Sequence, residues 1–87
     1  MEKYRITFKK SVAKDLRVIP KNDITKILNK IDTLAVNPRG EDCIKLSGQE
    51  NYRVRQGLYR IVYEIKDDAL VVNVIKVAHR SQVYKSN

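Results

Sequence analysis

Arg53, Arg55 and Arg60 lie close together in the run Tyr52-Arg53-Val54-Arg55-Gln56-Gly57-Leu58-Tyr59-Arg60-Ile61-Val62-Tyr63-Glu64. A guanidinium keeps its charge at every relevant pH and grips phosphate through paired donors, so three of them suit recognition of a polyanion. A second group closes the chain: His79, Arg80 and Tyr84. Histidine titrates near neutrality and can move protons, and a tyrosine can stack on a nucleobase. Lys9, Lys10 and Lys14 form either a solvated helix face or auxiliary contacts to nucleic-acid phosphates. Glu41 and Asp42 sit in the loop before the arginine run, where ordinary surface carboxylates are expected. Cys43 has no histidine near it in sequence and reads as inert. With one cysteine and one histidine in the whole chain, an internal disulfide is impossible and a zinc site is not expected.

The elements that must position these groups follow from periodicity. The arginine run reads as a hairpin around a two-residue Gln56-Gly57 turn. That turn sets Arg55 opposite Leu58, Val54 opposite Tyr59 and Arg53 opposite Arg60. Side chains alternate across a strand. Tyr52, Val54, Tyr59, Ile61, Tyr63 and Ile65 then share a core face, while Arg53, Arg55 and Arg60 share the other. Arginine is common on solvated strands, but like charges facing each other destabilise a hairpin, which favours a built site.

Upstream, Tyr4, Ile6 and Phe8 alternate as a first strand. Ser11 is a fitting cap for a helix carrying Val12, Leu16 and Ile19, which Pro20 stops. Asn22 or Asp23 caps a second helix, with Ile24, Ile27, Leu28, Ile31 and Leu34 as its apolar stripe, ended by Asn37-Pro38-Arg39-Gly40. The stretch 40–51 reads as a loop with Ile44 and Leu46 anchored in the core and a turn at Ser47-Gly48. After the hairpin, Asp67-Asp68 turns the chain into Leu70 to Ala78, an apolar run expected at the centre of the sheet. Residues from His79 onward read as a short polar tail with one helical turn at most. The expected fold is α+β, in which an N-terminal strand and a helical hairpin pack on one face of a small, mainly antiparallel twisted sheet. The arginines would occupy the opposite, solvated and concave face.

Length bounds the rest. Residues 1–87 make one small domain with a modest core. No apolar run is long enough to span a membrane, and the first residues lack a signal-peptide apolar region, so the expected location is cytoplasmic. The formal net charge of +8 implies attraction to nucleic acid, an anionic membrane or an acidic protein. The membrane option is weakened because no basic amphipathic helix with exposed Trp or Phe is visible.

Read along its whole length, the chain resembles the RelE/ParE superfamily of bacterial and archaeal toxins, in its RelE-type branch. The resemblance is carried by the first strand, the helical hairpin, Lys45-Leu46-Ser47-Gly48, Tyr52-Arg53-Val54-Arg55, Leu58-Tyr59-Arg60-Ile61-Val62-Tyr63-Glu64 and Val77-Ala78-His79-Arg80-Ser81-Gln82-Val83-Tyr84, in that order. It implies a metal- and cofactor-independent, ribosome-dependent mRNA endonuclease in which the substrate's own 2′-hydroxyl attacks the adjacent phosphate and the 5′-oxygen leaves. It implies phosphate and transition-state stabilisation for Arg55 and Arg60, with Arg53 as the other basic residue of the first hairpin strand. It implies a general-acid role for Arg80 and base stacking for Tyr84. It also implies partners: a ribosome with mRNA in the A site, and a small acidic RelB-like antitoxin in a hetero-oligomer.

Where many members carry Lys-x-Lys in the first hairpin strand, this chain carries Arg53-Val54-Arg55. Arginine is a poor proton acceptor. The base is therefore open between His79, Asp42, Arg53, the ribosome itself, and positional and electrostatic catalysis alone. A ParE-like inhibitor of DNA gyrase without nuclease activity is the alternative that the resemblance offers.

Overall fold

The computed structural model describes residues 3–46 and 51–79. The elements run β1 (Arg5–Phe8), α1 (Lys10–Arg17), α2 (Lys21–Val36), β2 (Ile44–Lys45), β3 (Asn51–Gln56), β4 (Tyr59–Lys66), a 3-10 turn (Asp67–Ala69) and β5 (Val71–His79). The five strands form one sheet in the order β1-β5-β4-β3-β2. β1 runs parallel to β5, and the other neighbours are antiparallel. β5 is interior, between β1 and β4, rather than at the centre, which β4 takes; two flanking strands and the helices above suffice to cover its apolar run. Two helices packed on a five-stranded mixed sheet make the α+β architecture expected.

One face of the sheet and the inner faces of both helices make the core. Val12 of α1 and Ile27, Ile31 and Leu34 of α2 pack with Tyr52, Val54, Ile61, Tyr63, Ile65, Val72, Val74 and Val77. The helical 3–4 spacing and the strand spacing of two thus meet in one layer. Two residues of those stripes stay half-exposed instead: Phe8 and Leu28. They line an open groove of about 370 Å³ on the helical layer, together with Lys9, Lys10, Val12, Ala13 and Leu16.

Both helices start without the expected side-chain caps. α1 begins at Lys10, before Ser11, because the Lys9 N–H is already tied to the Val74 carbonyl (2.8 Å) and the chain must turn at once on leaving β1. α2 begins at Lys21 with Pro20 at the cap position. The Pro20 carbonyl accepts the N–H groups of Asp23 and Ile24, so Pro20 both ends the first helix and seeds the second.

The stretch 40–51 is more than a loop. Ile44 and Lys45 pair with Arg53 and Tyr52 as an edge strand. Ile44 therefore faces the arginines, half-exposed, rather than the core, and Leu46 is only partly buried. Cys43 packs against the core in their place. The turn expected at Ser47-Gly48 lies outside the described residues.

A polar clamp ties the end of α2 to the sheet. Arg39 donates to both carboxylate oxygens of Asp67 (3.2 and 2.8 Å) and to the Tyr52 hydroxyl (3.2 Å). The Tyr4 hydroxyl donates to Asp67 as well (2.7 Å). The buried Tyr63 hydroxyl donates to the Pro38 carbonyl (2.7 Å). Burial, followed by its neighbours, pushes the Tyr63 phenol far above its ordinary value.

Candidate functional site

The hairpin that carries the arginines closes one residue later than its sequence suggests. Gln56 pairs with Tyr59, and Gly57-Leu58 is the turn. Gly57 has φ +61°, and Leu58 is not among the positive-φ residues. Positive φ at the first central position alone is the II′ hairpin turn, which wants glycine first. With Gln56-Gly57 central, the glycine would stand second.

The correction moves the pairing by two residues and keeps its parity. The faces therefore survive while the partners change. Arg55 stands opposite Arg60, and Arg53 stands opposite Val62. Arg60 pairs on its other side with Ala78 of β5. One row of the open face thus reads Arg55-Arg60-Ala78, and the next reads Ile44-Arg53-Val62-Lys76. Solvation is graded across the cluster: Arg55 is exposed, Arg53 half-buried, and Arg60 only 9% exposed on its central strand.

Further along the same face, a hydrogen-bonded polar row separates the arginines from Arg5 and Lys66, which flank Val71 at the far end. The Thr7 hydroxyl donates to Asn73 (2.7 Å), and the Asn73 amide donates to Glu64 (2.9 Å). Glu64 lies four residues along β4 from Arg60, about 13 Å at strand rise. At the hairpin end, two guanidiniums side by side on a rigid sheet can chelate one phosphate.

His79 is not part of this cluster. It pairs with Tyr59, and their rings meet edge to face at 5.3 Å and 88°. Laterally paired residues share a face, and Tyr59 packs against the core. The parity of β5 changes at an irregularity opposite Val62 and Tyr63, where the ladder jumps from Lys76 to Val74. Such a bulge re-aims the side chains beyond it, and nothing in the local pattern of β5 announces it. Burial and the Asp23 carboxylate of α2 push the Tyr59 phenol up.

Asp42 is also engaged elsewhere. Its carboxylate pairs with Lys30 of α2, and that hydrogen bond holds its pKa below the ordinary carboxylate value. A carboxylate so stabilised is a weaker base. Lys9, Lys10 and Lys14 are exposed at the start and along the outside of α1, and the first two flank the apolar groove rather than the arginine rows. Arg80 and Tyr84 lie outside the described residues. No cluster of three or more metal-ligating side chains occurs among the described residues, and none of their helices is long and apolar enough to cross a membrane.

Sequence reasoning passed over Asp15 of α1, which reaches the Val77 N–H of β5. Its spacing on an amphipathic helix carried no signal for this role. Arg39 was legible only as part of a helix stop.

The family profile described as "ParE toxin of type II toxin-antitoxin system, parDE" matches residues 6–84. RelE1 of Methanocaldococcus jannaschii is 32% identical over 97% of this chain and 98% of its own length. The chain belongs to the RelE/ParE superfamily of type II toxins, in its RelE-type branch. Toxin RelE3 of the same archaeon is 31% identical over 92% of this chain and 94% of its own length. Among solved structures, the RelE-RelB complex from Pyrococcus horikoshii superposes with a TM-score of 0.80 at 32% identity, over 91% of this chain and 97% of that one. The isolated RelE toxin of E. coli gives 0.77 at 30% identity, over 94% and 92%. The RelE-type fold therefore carries an arginine row, Arg55-Arg60, at the hairpin end of its open sheet face in this chain.

Proposed function

We propose that this toxin is a cytoplasmic, ribosome-dependent mRNA endonuclease that inhibits translation. The observation that supports the reading best is the pairing of Arg55 with Arg60 on the face opposite the helices, with Arg53 in the adjoining row. Two guanidiniums held side by side offer paired donors to an anion, and a phosphodiester passing to a dianionic phosphorane is such an anion. In the reaction, the 2′-oxygen forms a bond to phosphorus and gives up its proton to water in the ribosomal site. The bond from phosphorus to the 5′-oxygen then breaks, and that oxygen gains a proton. Arg55 and Arg60 stabilise the charge on the non-bridging oxygens, and Arg53 holds a flanking phosphate. Arg80 delivers the proton to the leaving oxygen, and Tyr84 stacks on a neighbouring base.

His79 packs on Tyr59 and Asp42 is tied to Lys30. The reading therefore assigns the rate enhancement to alignment of the 2′-oxygen and to electrostatics, and takes no base from the described residues. It needs no metal and no cofactor.

Relatives of similar fold are found as RelE-RelB complexes. Together with the +8 charge, this supports an acidic RelB-like antitoxin as this chain's partner in a hetero-oligomer. The test is direct. Purified protein should cut mRNA on programmed ribosomes and leave naked mRNA intact, and Arg60→Ala or Arg80→Ala should abolish growth arrest. Growth arrest with no cleavage on ribosomes overturns the reading. The family profile's ParE name sustains a second one, inhibition of DNA gyrase, which a supercoiling assay with the same preparation decides.

A further inference from the structure

Among the described strand residues, Glu64 is the only acid. β4 alternates without interruption from Arg60 through Val62 to Glu64, so Glu64 shares the arginine face. On a face that attracts polyanions, a carboxylate weakens phosphate binding. It adds selectivity instead, by accepting donors that a phosphate lacks.

Its aim is fixed from across the sheet. Thr7 of β1 pairs with Asn73 of β5, and Asn73 pairs with Glu64 of β4. The Thr7 hydroxyl donates to Asn73 Oδ1 (2.7 Å), so the amide turns Nδ2 toward Glu64 Oε2 (2.9 Å). A carboxylate has about four acceptor sites, and Asn73 takes one of them. The rest belong to a half-exposed side chain and are open to a ligand.

Val62 lies between Arg60 and Glu64, with Arg53 and Lys76 on either side of it in the sheet. The order along β4 is thus guanidinium, small apolar surface, carboxylate. A nucleotide has the same order: phosphate, sugar and ring, hydrogen-bonding edge. Arg60 and Glu64 are about 13 Å apart at strand rise, and both side chains can lean inward, which brings the gap within reach of a purine nucleotide. Single-stranded RNA is read on such exposed base edges. Guanine presents two adjacent donors on its Watson–Crick edge, N1–H and the N2 amine, and one carboxylate accepts both. Adenine turns its N1 acceptor toward the same place and is repelled.

We propose that Glu64, oriented by Asn73, is a specificity-determining residue that reads a guanine in the nucleotide whose phosphate Arg55 and Arg60 hold. This rests on the RNA-cleavage reading above and adds a base preference to it.

The experiment measures kcat/KM for mRNA cleavage on programmed ribosomes, with guanine, hypoxanthine or adenine placed at each nucleotide flanking the cleaved bond. The parent should prefer guanine about 10-fold over hypoxanthine, which lacks the N2 amine, and about 100-fold over adenine, which lacks both donors. Glu64→Gln keeps an acceptor for Asn73 and should bring both ratios within about threefold of unity. Asn73→Ala, which releases the carboxylate, should lower both ratios part of the way. Chemical-shift titration of the parent with guanosine and inosine monophosphates reads the same selectivity without ribosomes and without relying on either variant to fold. The guanosine nucleotide should shift the Asn73 side-chain amide and bind more tightly. Equal rates at guanine and hypoxanthine in the parent overturn the proposal, as do undiminished ratios in Glu64→Gln. A parent that cleaves no codon but still binds the guanosine nucleotide selectively overturns the cleavage reading and leaves the subsite standing. A cleaving parent blind to the exchange of bases overturns the subsite alone.

Discussion

Replacing Arg55 by Gln should make the protein more stable and less active. In a two-residue hairpin the closing pair, Gln56 and Tyr59, exchanges hydrogen bonds. The next pair, Arg55 and Arg60, is then of the closer, non-hydrogen-bonded kind. Two charges about 7 Å apart repel by about 0.6 kcal/mol in bulk water and by about 2.4 kcal/mol at an effective dielectric of about 20. Arg55 is exposed, so the lower figure governs, in line with about 0.2–1 kcal/mol for like charges across a strand pair. Arg55→Gln should therefore gain about 0.5 kcal/mol, a rise in Tm of about 2–4 °C for a chain this size. The gain should shrink toward zero in molar salt, where the Debye length falls to about 3 Å. Arg53→Gln is the control, because Arg53 faces Val62. Circular-dichroism melts of the three proteins at low and high salt, with ribosomal cleavage measured in parallel, make the assay. The reasoning is refuted if Arg55→Gln melts lower than the parent, if its gain ignores salt, or if Arg53→Gln gains as much.

Tyr63→Phe removes the hydroxyl that satisfies the Pro38 carbonyl inside the fold and should cost about 1–2 kcal/mol in denaturant titration, with the hairpin face unaltered. Ile31→Ala, at a fully packed position of α2, should cost about 2–5 kcal/mol by the same measurement. Arg39 and Tyr4 hold the Asp67 carboxyl below its ordinary value. A depressed folded-state pKa gives stability that is present above the unfolded value of 3.8 and lost as pH falls through the lower folded value. Asp67→Asn should therefore flatten the acid limb of the stability curve below about pH 4, and, because Asp67 also raises the Tyr4 phenol above its ordinary value of 10.0, flatten the alkaline limb above about pH 10 as well, as read from melts across pH.

Much of the architecture is written locally. The stripe Ile24-Ile27-Ile31-Leu34 specifies a helix because only a 3.6-residue period brings it to one face. The alternation from Tyr52 to Ile65 separates arginines from core by parity, and parity is insensitive to where the turn falls by one residue. The exact partners were not local. Choosing between turns centred on Gln56-Gly57 and Gly57-Leu58 depends on which backbone carries positive φ, and cross-strand packing decides that. Ile44 looked like a core anchor because apolar character says what avoids water, not which side of an edge strand it takes.

The sequence by itself determined the α+β class, the interior place of β5, the cationic sheet face and the family. These rest on periodicity, composition and residue order, which survive small errors of register. Only the tertiary structure decided that Arg55 faces Arg60, that the bulge in β5 turns His79 away to Tyr59, that Lys30 holds Asp42, and that Asp15 secures the end of β5. Each joins residues distant along the chain, and their spacing along it carries no trace of the contact.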